Sequence, residues 1–186
     1  MQATHDLIEE HEAIKVMLRV LDRVASRLEN GEPVSMEHLE GMIDFIQGFT
    51  DRCHHAKEED LLFVAMEQAG IPRDGGPIGV MLAEHKIGRD TVRSMAEAVR
   101  AYAAGDEGAG RRFTDHARQY VTLLTQHIEK EDSVLYPLAD QHLTAEQQAA
   151  LVEGFDRIEH EVVGHGKHEA YHHLLEELEQ TYLQTA

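Results

Sequence analysis

The sequence predicts an all-α protein, an antiparallel up-down four-helix bundle with an additional C-terminal helical extension. Ala, Leu, Glu and Arg are frequent among the 186 residues, whereas there are 4 prolines and no tryptophan, a composition typical of helical proteins. Apolar residues recur at alternating three- and four-residue intervals in four long stretches, which is the periodicity of a helix with one buried face. Turns rich in glycine and proline separate these stretches.

The first two helices are predicted over about residues 5–29 and 36–69. His11 falls within the apolar seam of the first helix, which the turn sequence Asn-Gly-Glu-Pro ends. Ser35 is a suitable N-cap for the second helix. The seam of the second helix continues through Glu58, so this acidic side chain is expected to point inward.

The third and fourth helices are predicted over about residues 77–104 and 109–139. Each carries one histidine in its apolar seam, His85 in the third helix and His127 in the fourth. Pro137 lies near the end of the fourth helix, where its ring is expected to kink or terminate the helix.

The chain is predicted to divide into a bundle domain, residues 1–140, and a helical extension packed on it, residues 141–186. Thr144 opens the extension with a pattern that resembles a capping box. Either Glu161 or His168 could supply an additional metal ligand, although a solvent-exposed histidine-rich helix is the alternative. The histidines of the extension are His160, His165, His168, His172 and His173.

Charge and cysteine content exclude several classes of protein. A formal net charge of −18 argues against partners such as nucleic acid or anionic membrane surfaces. The sequence has no run of about 18 apolar residues that could span a bilayer and no secretory signal pattern at its start. The single cysteine, Cys53, cannot form an internal disulfide, which fits a cytoplasmic protein. The oligomeric state stays open.

Histidine is unusually frequent, with 14 residues. Some of these histidines precede a glutamate by four residues, in a His-x-x-x-Glu motif that occurs twice in the chain. Residues four apart on a helix lie one above the other, so this spacing offers an imidazole and a carboxylate to one metal ion. The candidate pairs are His54 with Glu58, His55 with Glu59, and His127 with Glu131. The first two pairs overlap in one copy of the motif and the third lies in a second copy, and two copies in one small chain indicate a dinuclear site.

The register between the two copies selects one pair in the first copy. Each copy of the motif is followed by a dipeptide, Leu-Phe in the first copy and Leu-Tyr in the second. When these dipeptides are aligned, His54 corresponds to His127 and Glu58 to Glu131. His55 is then expected to face outward or to lie behind the ligands. Glu59 and Asp60 are expected to form a solvated acidic face.

The two halves of the chain resemble copies of each other. Glu10-His11 corresponds to Glu84-His85, and the His-x-x-x-Glu pairs correspond at almost the same offset along the chain. His11 lies as far before the first turn as His54 lies after it, to within about one residue, and the second half repeats this spacing. In antiparallel helices joined by short loops, equal distances from the turn mean equal height. The histidines of each hairpin should therefore meet.

The bundle interior is expected to hold four imidazoles and two carboxylates, namely His11, His54, His85, His127, Glu58 and Glu131. A lone histidine in a helix seam is usually a packed core residue, but four at matched heights weaken that alternative. Buried carboxylates without partners are costly, so the cluster calls for a cation. Two ions would take two histidines each with the carboxylates bridging, and Asp132 competes with Glu131 for the second bridge.

The types of donor atom favour iron over manganese or zinc. Imidazole and carboxylate with almost no thiolate suit redox-active iron, whereas structural zinc usually takes cysteines. Six protein ligands around two ions leave coordination positions for a small exogenous ligand such as O2, peroxide or NO. Cys53 is most simply a small core residue beside the site.

At this point the motifs resemble the hemerythrin-like, His-His-Glu cation-binding family over about residues 5–139. The matching pieces are Glu10-His11-Glu12, His54 to Phe63, Ala83-Glu84-His85 and His127 to Pro137. The resemblance implies a non-haem di-iron centre, with two iron ions joined by an oxo or hydroxo bridge, inside a four-helix bundle.

One position departs from the pattern of the oxygen-carrying members. They have a second histidine one turn after the third-helix ligand, whereas this chain has Arg89 four residues after His85. The resemblance therefore implies a bacterial hemerythrin-like protein that handles peroxide or nitric oxide, with a catalase-like or other di-iron oxidoreductase activity as one possibility. Reversible oxygen binding, storage or sensing, or iron handling without turnover, is the alternative.

Overall fold

A computed structural model of the chain describes residues 2–164 and 166–184, and these are helices and turns with no strand. The predicted all-α class is thus confirmed. In chain order the elements are α1 (Gln2–Glu29), α2 (Met36–Phe45), π1 (Ile46–His55), π2 (Glu58–Leu62), α3 (Phe63–Gln68), α4 (Pro77–Ala103), α5 (Ala109–Lys130), π3 (Glu131–Leu135), α6 (Tyr136–His142), α7 (Ala145–Ile158), π4 (Glu159–Val163) and α8 (Lys167–Tyr182).

The predicted second and fourth helices are continuous helical stretches, residues 36–68 and 109–142, but both contain π-helical segments. In these segments the carbonyl of residue i accepts a hydrogen bond from the amide of residue i+5 rather than i+4. This change rotates the side chains that follow relative to their positions in an α-helix. Their positions matter because π1, π2 and π3 carry His54, Glu58 and Glu131. The remaining candidate ligand of these stretches, His127, lies in α5 one turn before π3. The α-helical periodicity assumed for the sequence therefore fails where the site lies.

Two predicted helix signals behave differently from expectation. Pro137 does not end the fourth helix, because it lies in the first turn of α6, directly after π3, where a missing amide hydrogen is tolerated. Ser35 precedes α2 with extended backbone, but its side chain makes no capping hydrogen bond. Thr144 does form the predicted capping box with Gln147 at the start of α7.

The buried apolar side chains form two clusters. The first core cluster is built around Phe45, Phe49 and Phe113, and the second around Phe63 and Met66. The chain passes from the second cluster to the first between Leu7 and Ile14 and between Met81 and Val92, and it returns between Phe49 and Leu62 and between Ile128 and Leu135. Five of the six predicted ligands fall in these four intervals, and the sixth, His127, directly precedes the last one, so the six lie where the chain passes between the two clusters.

The C-terminal helices contribute to the same clusters. Phe155 of α7 belongs to the second core cluster, and Tyr171 and Leu178 of α8 belong to the first. The division of the chain at residue 140 into a bundle domain and an extension stays a prediction. Among the helices of the described residues, none is both long and apolar enough to cross a membrane.

Candidate metal centre

Four histidines meet between the two clusters in two facing pairs. The Nε2 atoms of His11 and His54 are 3.0 Å apart, and those of His85 and His127 are also 3.0 Å apart. Each of these side chains is buried. The predicted matching of heights within each hairpin thus brings the imidazoles into contact.

The two glutamates lie between the histidine pairs. One oxygen of Glu131 is 3.3 Å from Nε2 of His11, and the other is 3.0 Å from Nε2 of His127. Oε2 of Glu58 is 3.4 Å from Nε2 of His85 and 3.8 Å from Nε2 of His54. Each carboxylate therefore reaches both pairs, which is the arrangement that a bridging ligand needs.

Donor atoms close enough to share an ion form two buried groups. The first contains His11, His54 and Glu131, and the second contains His55, Glu58, His85 and His127, with the donor atoms of each group within 4.8 Å of one another. Every one of the six predicted ligands belongs to one of these groups. Because both groups are made of imidazoles and carboxylates, their chemistry suits divalent transition metals.

The outer nitrogen of each imidazole bonds to a carboxylate. Nδ1 of His11 lies 2.7 Å from Asp132, that of His54 2.8 Å from Glu10, that of His85 2.6 Å from Glu59, and that of His127 2.9 Å from Glu84. A carboxylate acceptor keeps the proton on Nδ1 and leaves the lone pair on Nε2. The facing Nε2 atoms then point lone pairs at each other, and a cation between them relieves this repulsion.

Basic residues in turn bind these carboxylates. The pairs are Lys57 with Glu10, Lys130 with Glu84, Arg89 with Glu59, and Lys15 with Asp132. They follow the sequence repeat, since the first two pairs occupy equivalent positions in the two halves and so do the last two. Sequence reasoning missed this layer of the site, although the repeated Lys57 and Lys130 and the Glu-His dipeptides signalled it.

One expectation about an acidic residue needs correction, and the positions of Glu131 and Asp132 can be compared. Glu59 is not part of a solvated acidic face, because it bonds both His85 and Arg89, whereas Asp60 is exposed as expected. Asp132 does not take the bridging position, because it bonds the outer nitrogen of His11. The geometry thus favours Glu131 over Asp132 between the histidine pairs.

Buried carboxylate oxygens in the centre lack partners within the described chain. Both oxygens of Glu131 and Oε2 of Glu58 accept no hydrogen bond, whereas Oε1 of Glu58 accepts one of 2.8 Å from the Tyr136 hydroxyl. Burial and repulsion by Glu131 raise the pKa of Glu58 well above its usual range. Unsatisfied buried oxygens of this kind are what a metal ion would neutralise, so the residues present fit a bound cation.

The pKa shifts of two of these imidazoles run in opposite directions. Burial lowers the pKa of His54 to about 4, even though Glu10 opposes the shift, so this ring is neutral at pH 7. Burial itself lowers the pKa of His11, but Asp132 and Glu131 outweigh it and raise that pKa. Metal binding at His11 would therefore displace a proton more readily at higher pH.

His55 was expected to face outward or lie behind the ligands, and the outward alternative is wrong. Its side chain is buried, with 4% of the residue exposed. Its ring stacks on that of His85 with centroids 3.9 Å apart. Two consecutive histidines point inward here because π1 ends at His55 and alters the helical rotation.

Tyr136 is a further site residue that sequence reasoning used only to set the register. Its hydroxyl donates to Glu58 and lies 3.3 Å from Nε2 of His11. At the equivalent position of the repeat the first half has Phe63, which has no hydroxyl. The centre is therefore not symmetric.

The candidate ligands in the C-terminal extension lie outside both central groups. Glu161 is exposed, and His168 groups instead with Glu10 and Glu159. Lys57 donates to both of these glutamates, so a side-chain cation already lies between their carboxylates. His165 lies outside the described residues.

Comparison with known proteins identifies the family. The model of the hemerythrin HHE cation-binding domain matches residues 2–139, and the chain therefore belongs to this family. Proteins of Mycobacterium bovis and Mycobacterium tuberculosis, whose names describe them as uncharacterized, are 26% identical over 162 residues, or 87% of this chain. The chain spans 63% of the length of these relatives. No solved structure matches it.

Proposed function

We propose that this chain is a non-haem di-iron protein that binds and reacts with a small oxidant, with peroxide as the first candidate. Two iron ions, joined by an oxo or hydroxo bridge, would be held by the predicted set, His11, His54, Glu58, His85, His127 and Glu131. Four stretches, α1, residues 36–68, α4 and residues 109–142, would form an antiparallel up-down bundle around them. The alternating passage of these stretches between the two core clusters supports that topology.

The main support for the proposal is the arrangement of the donor atoms. The Nε2 atoms of the histidines face each other in two pairs, and two carboxylates lie between these pairs. The facing Nε2 atoms and the unpartnered oxygens of Glu58 and Glu131 converge on one buried volume. Carboxylate acceptors on all four outer nitrogens fix the ring orientation and raise the basicity of each ligand. A purely structural cluster would have no need to leave these buried oxygens unsatisfied.

The residues around the centre suit chemistry with a small, uncharged ligand. When bound, iron would supply the electron transfer that peroxide reduction or oxidation needs. The two core clusters on either side exclude bulk water, which strengthens electrostatic interactions within the site. The Tyr136 hydroxyl, which donates to Glu58, can hold or deliver a proton beside the centre. We also place this activity in the cytoplasm, where the single buried thiol of Cys53 would stay reduced.

Metal analysis with activity assays tests the proposal. The purified iron-loaded protein should contain two irons per chain, show an oxo-bridged di-iron absorption spectrum, and evolve oxygen from peroxide. The variant His127→Ala should lose iron and activity, whereas His173→Ala, at a histidine side chain that is 81% exposed, should retain both. An iron-loaded protein that neither evolves oxygen from peroxide nor consumes nitric oxide would contradict the proposed reactivity.

Reversible oxygen binding is the second candidate, and the same sample distinguishes it. The buried, apolar flanks of the centre would also suit reversible binding of a small uncharged molecule such as O2. An absorption band that appears on aeration and disappears under vacuum, without turnover of peroxide, would favour storage or sensing over catalysis.

A further inference from the structure

The repeat that relates the two halves is broken on one side of the centre by His55. Its counterpart in the second half is Ile128, the residue that follows His127 as His55 follows His54. Ile128 is a buried aliphatic residue of the first core cluster. The other ligands and their carboxylate partners all have counterparts of like chemistry. One half therefore brings an extra imidazole to the position where the other half has a hydrocarbon.

The His55 imidazole is buried without a hydrogen-bond partner for its Nδ1 atom in the described part of the chain. The nearest carboxylate, Asp51, is 3.5 Å from this atom, and it accepts a 2.7 Å hydrogen bond from Arg89 instead. An unsatisfied ring nitrogen at 4% exposure is costly. A metal ion bound at this nitrogen would remove the cost.

The position of His55 also fits ligation. A donor atom of its ring lies within 4.8 Å of donor atoms of Glu58, His85 and His127. Ligand atoms about 2.1 Å from one transition-metal ion are at most about 4.2 Å apart, so a small adjustment of this group would bring all four donors to one ion. Ile128 offers no donor to the other group.

We propose that His55 is a fifth histidine ligand, which binds the ion shared by Glu58, His85 and His127. This inference rests on the proposed function, because it assigns a ligand to the same dinuclear centre. It makes the two ions unequal, with three imidazoles on one and two, from His11 and His54, on the other. The group with fewer protein donors, which includes His11, would then leave more room for an exogenous molecule, and the Tyr136 hydroxyl lies 3.3 Å from Nε2 of His11.

The inequality can be measured first on the unaltered protein. Mössbauer spectra of the anaerobic di-ferrous protein should show two resolved quadrupole doublets of equal area. Because Tyr136 also distinguishes the two sides, these doublets serve as the reference for His55→Gln, whose spectrum must differ from them if His55 is a ligand. If the protein binds no iron, the proposed function fails as well, so the two failures are distinguishable.

Substitution of His55 then tests the ligand directly. In anaerobic Fe(II) titrations, His55→Gln should weaken one of the two sites by at least about 10–100-fold, as loss of ligand support does in other metal sites, and leave the other unchanged. Ile128→Val, at the counterpart position, should leave both affinities unchanged. Two wild-type affinities and an unaltered Mössbauer spectrum in folded His55→Gln would show that His55 is not a ligand.

Addition of free imidazole to a His55→Ala variant distinguishes a metal-binding role of His55 from a packing role. A cavity of about 450 Å³ lined by His55 and Arg89 opens beside the ring, so free imidazole can reach the space that His55→Ala creates. Millimolar imidazole should restore the weakened site of this variant, whereas an equal concentration of pyrrole, which offers no basic nitrogen lone pair, should not. Restoration by both compounds, or by neither, would indicate that His55 only fills space.

Discussion

At the level of single residues, the site depends on side chains that hold the ligands in place. Glu10 illustrates this, since it accepts from Nδ1 of His54 and from the ammonium of Lys57. Burial alone would raise the pKa of Glu10, but these two partners outweigh it and hold that pKa at about 2. The carboxylate is therefore ionised at neutral pH and keeps the Nε2 lone pair of His54 directed at the centre.

Replacement of Glu10 by glutamine should weaken metal binding without removing a ligand. We expect Fe(II) affinity to fall by about 10–100-fold, the usual cost of losing a carboxylate behind a metal-bound histidine. Glu9→Gln, one residue earlier on the exposed face of α1, is the matched control and should bind iron normally. Equal affinities in both variants, measured by anaerobic titration, would contradict the role assigned to Glu10.

The same carboxylate should leave a signature in the pH dependence of stability. Because the pKa of Glu10 is lowered from 4.5 to about 2 on folding, its contribution is complete above pH 4.5 and is lost as the pH falls toward 2. In metal-free protein, the difference in unfolding free energy between wild type and Glu10→Gln should shrink over this range. Urea titrations at successive pH values would measure it, and a difference that grows on acidification would be the opposite result.

Cys53 should behave as an inert core thiol. Burial, the main cause, raises its pKa to about 12, so almost no thiolate exists at pH 8. We expect a disulfide reagent such as Ellman's reagent to label Cys53 only as fast as the native protein opens, and to label it at once in urea. Rapid labelling of the folded protein at pH 8 would show a reactive thiol instead.

At the level of elements, π-helical hydrogen bonding and helix caps decide where side chains point. Segments π1, π2 and π3 rotate the helices near the ligands and turn His55 toward the centre. Caps act more locally, and the chain offers a matched pair. Thr144 accepts from the backbone amide of Gln147, whereas Ser35 occupies the equivalent position before α2 without a side-chain capping hydrogen bond.

The two caps should respond differently to alanine. Thr144→Ala should lower the free energy of unfolding by about 1 kcal/mol, because an amide at the start of α7 loses its acceptor. Ser35→Ala should change it by less than about 0.5 kcal/mol, as for ordinary surface substitutions. Chemical denaturation of both variants measures the difference, and equal losses would mean that the cap bond of Thr144 contributes no stability.

At the level of the whole molecule, α8 packs against the helical stretch of residues 36–68. The Tyr171 ring of α8 contacts those of Phe45 and Phe49, and the backbone of Gly48 makes room for it. A Cβ atom added to Gly48 would lie 1.7 Å from the Tyr171 hydroxyl oxygen. The packing of the C-terminal helix therefore depends on the absence of one side chain.

The substitution Gly48→Ala should displace Tyr171 and destabilise the protein. We expect a loss of about 1–3 kcal/mol, the usual cost of overpacking, and faster hydrogen exchange throughout α8. Gly88→Ala is the control, because a Cβ there would meet Tyr120 at an ordinary 3.6 Å and alanine favours the helix. Unchanged exchange in α8 of Gly48→Ala would show that Tyr171 does not hold this helix in place.

The sequence by itself determined the helices, the repeat and the six residues that converge. Helical periodicity and residue spacing are local properties, so His11, His54, His85 and His127 could be placed at equal heights by counting along the chain. The family assignment likewise followed from motifs whose spacing the sequence displays.

Only the tertiary structure decided which side chains surround those six. The orientation of His55 depends on π1, and the role of Glu59 depends on contacts with His85 and Arg89 from α4. Neither can be counted from a uniform helical repeat, because i to i+5 hydrogen bonding changes the rotation where the helices pack around the centre. Long-range packing thus turned a predicted symmetric site into one with an extra imidazole and a tyrosine on unequal sides.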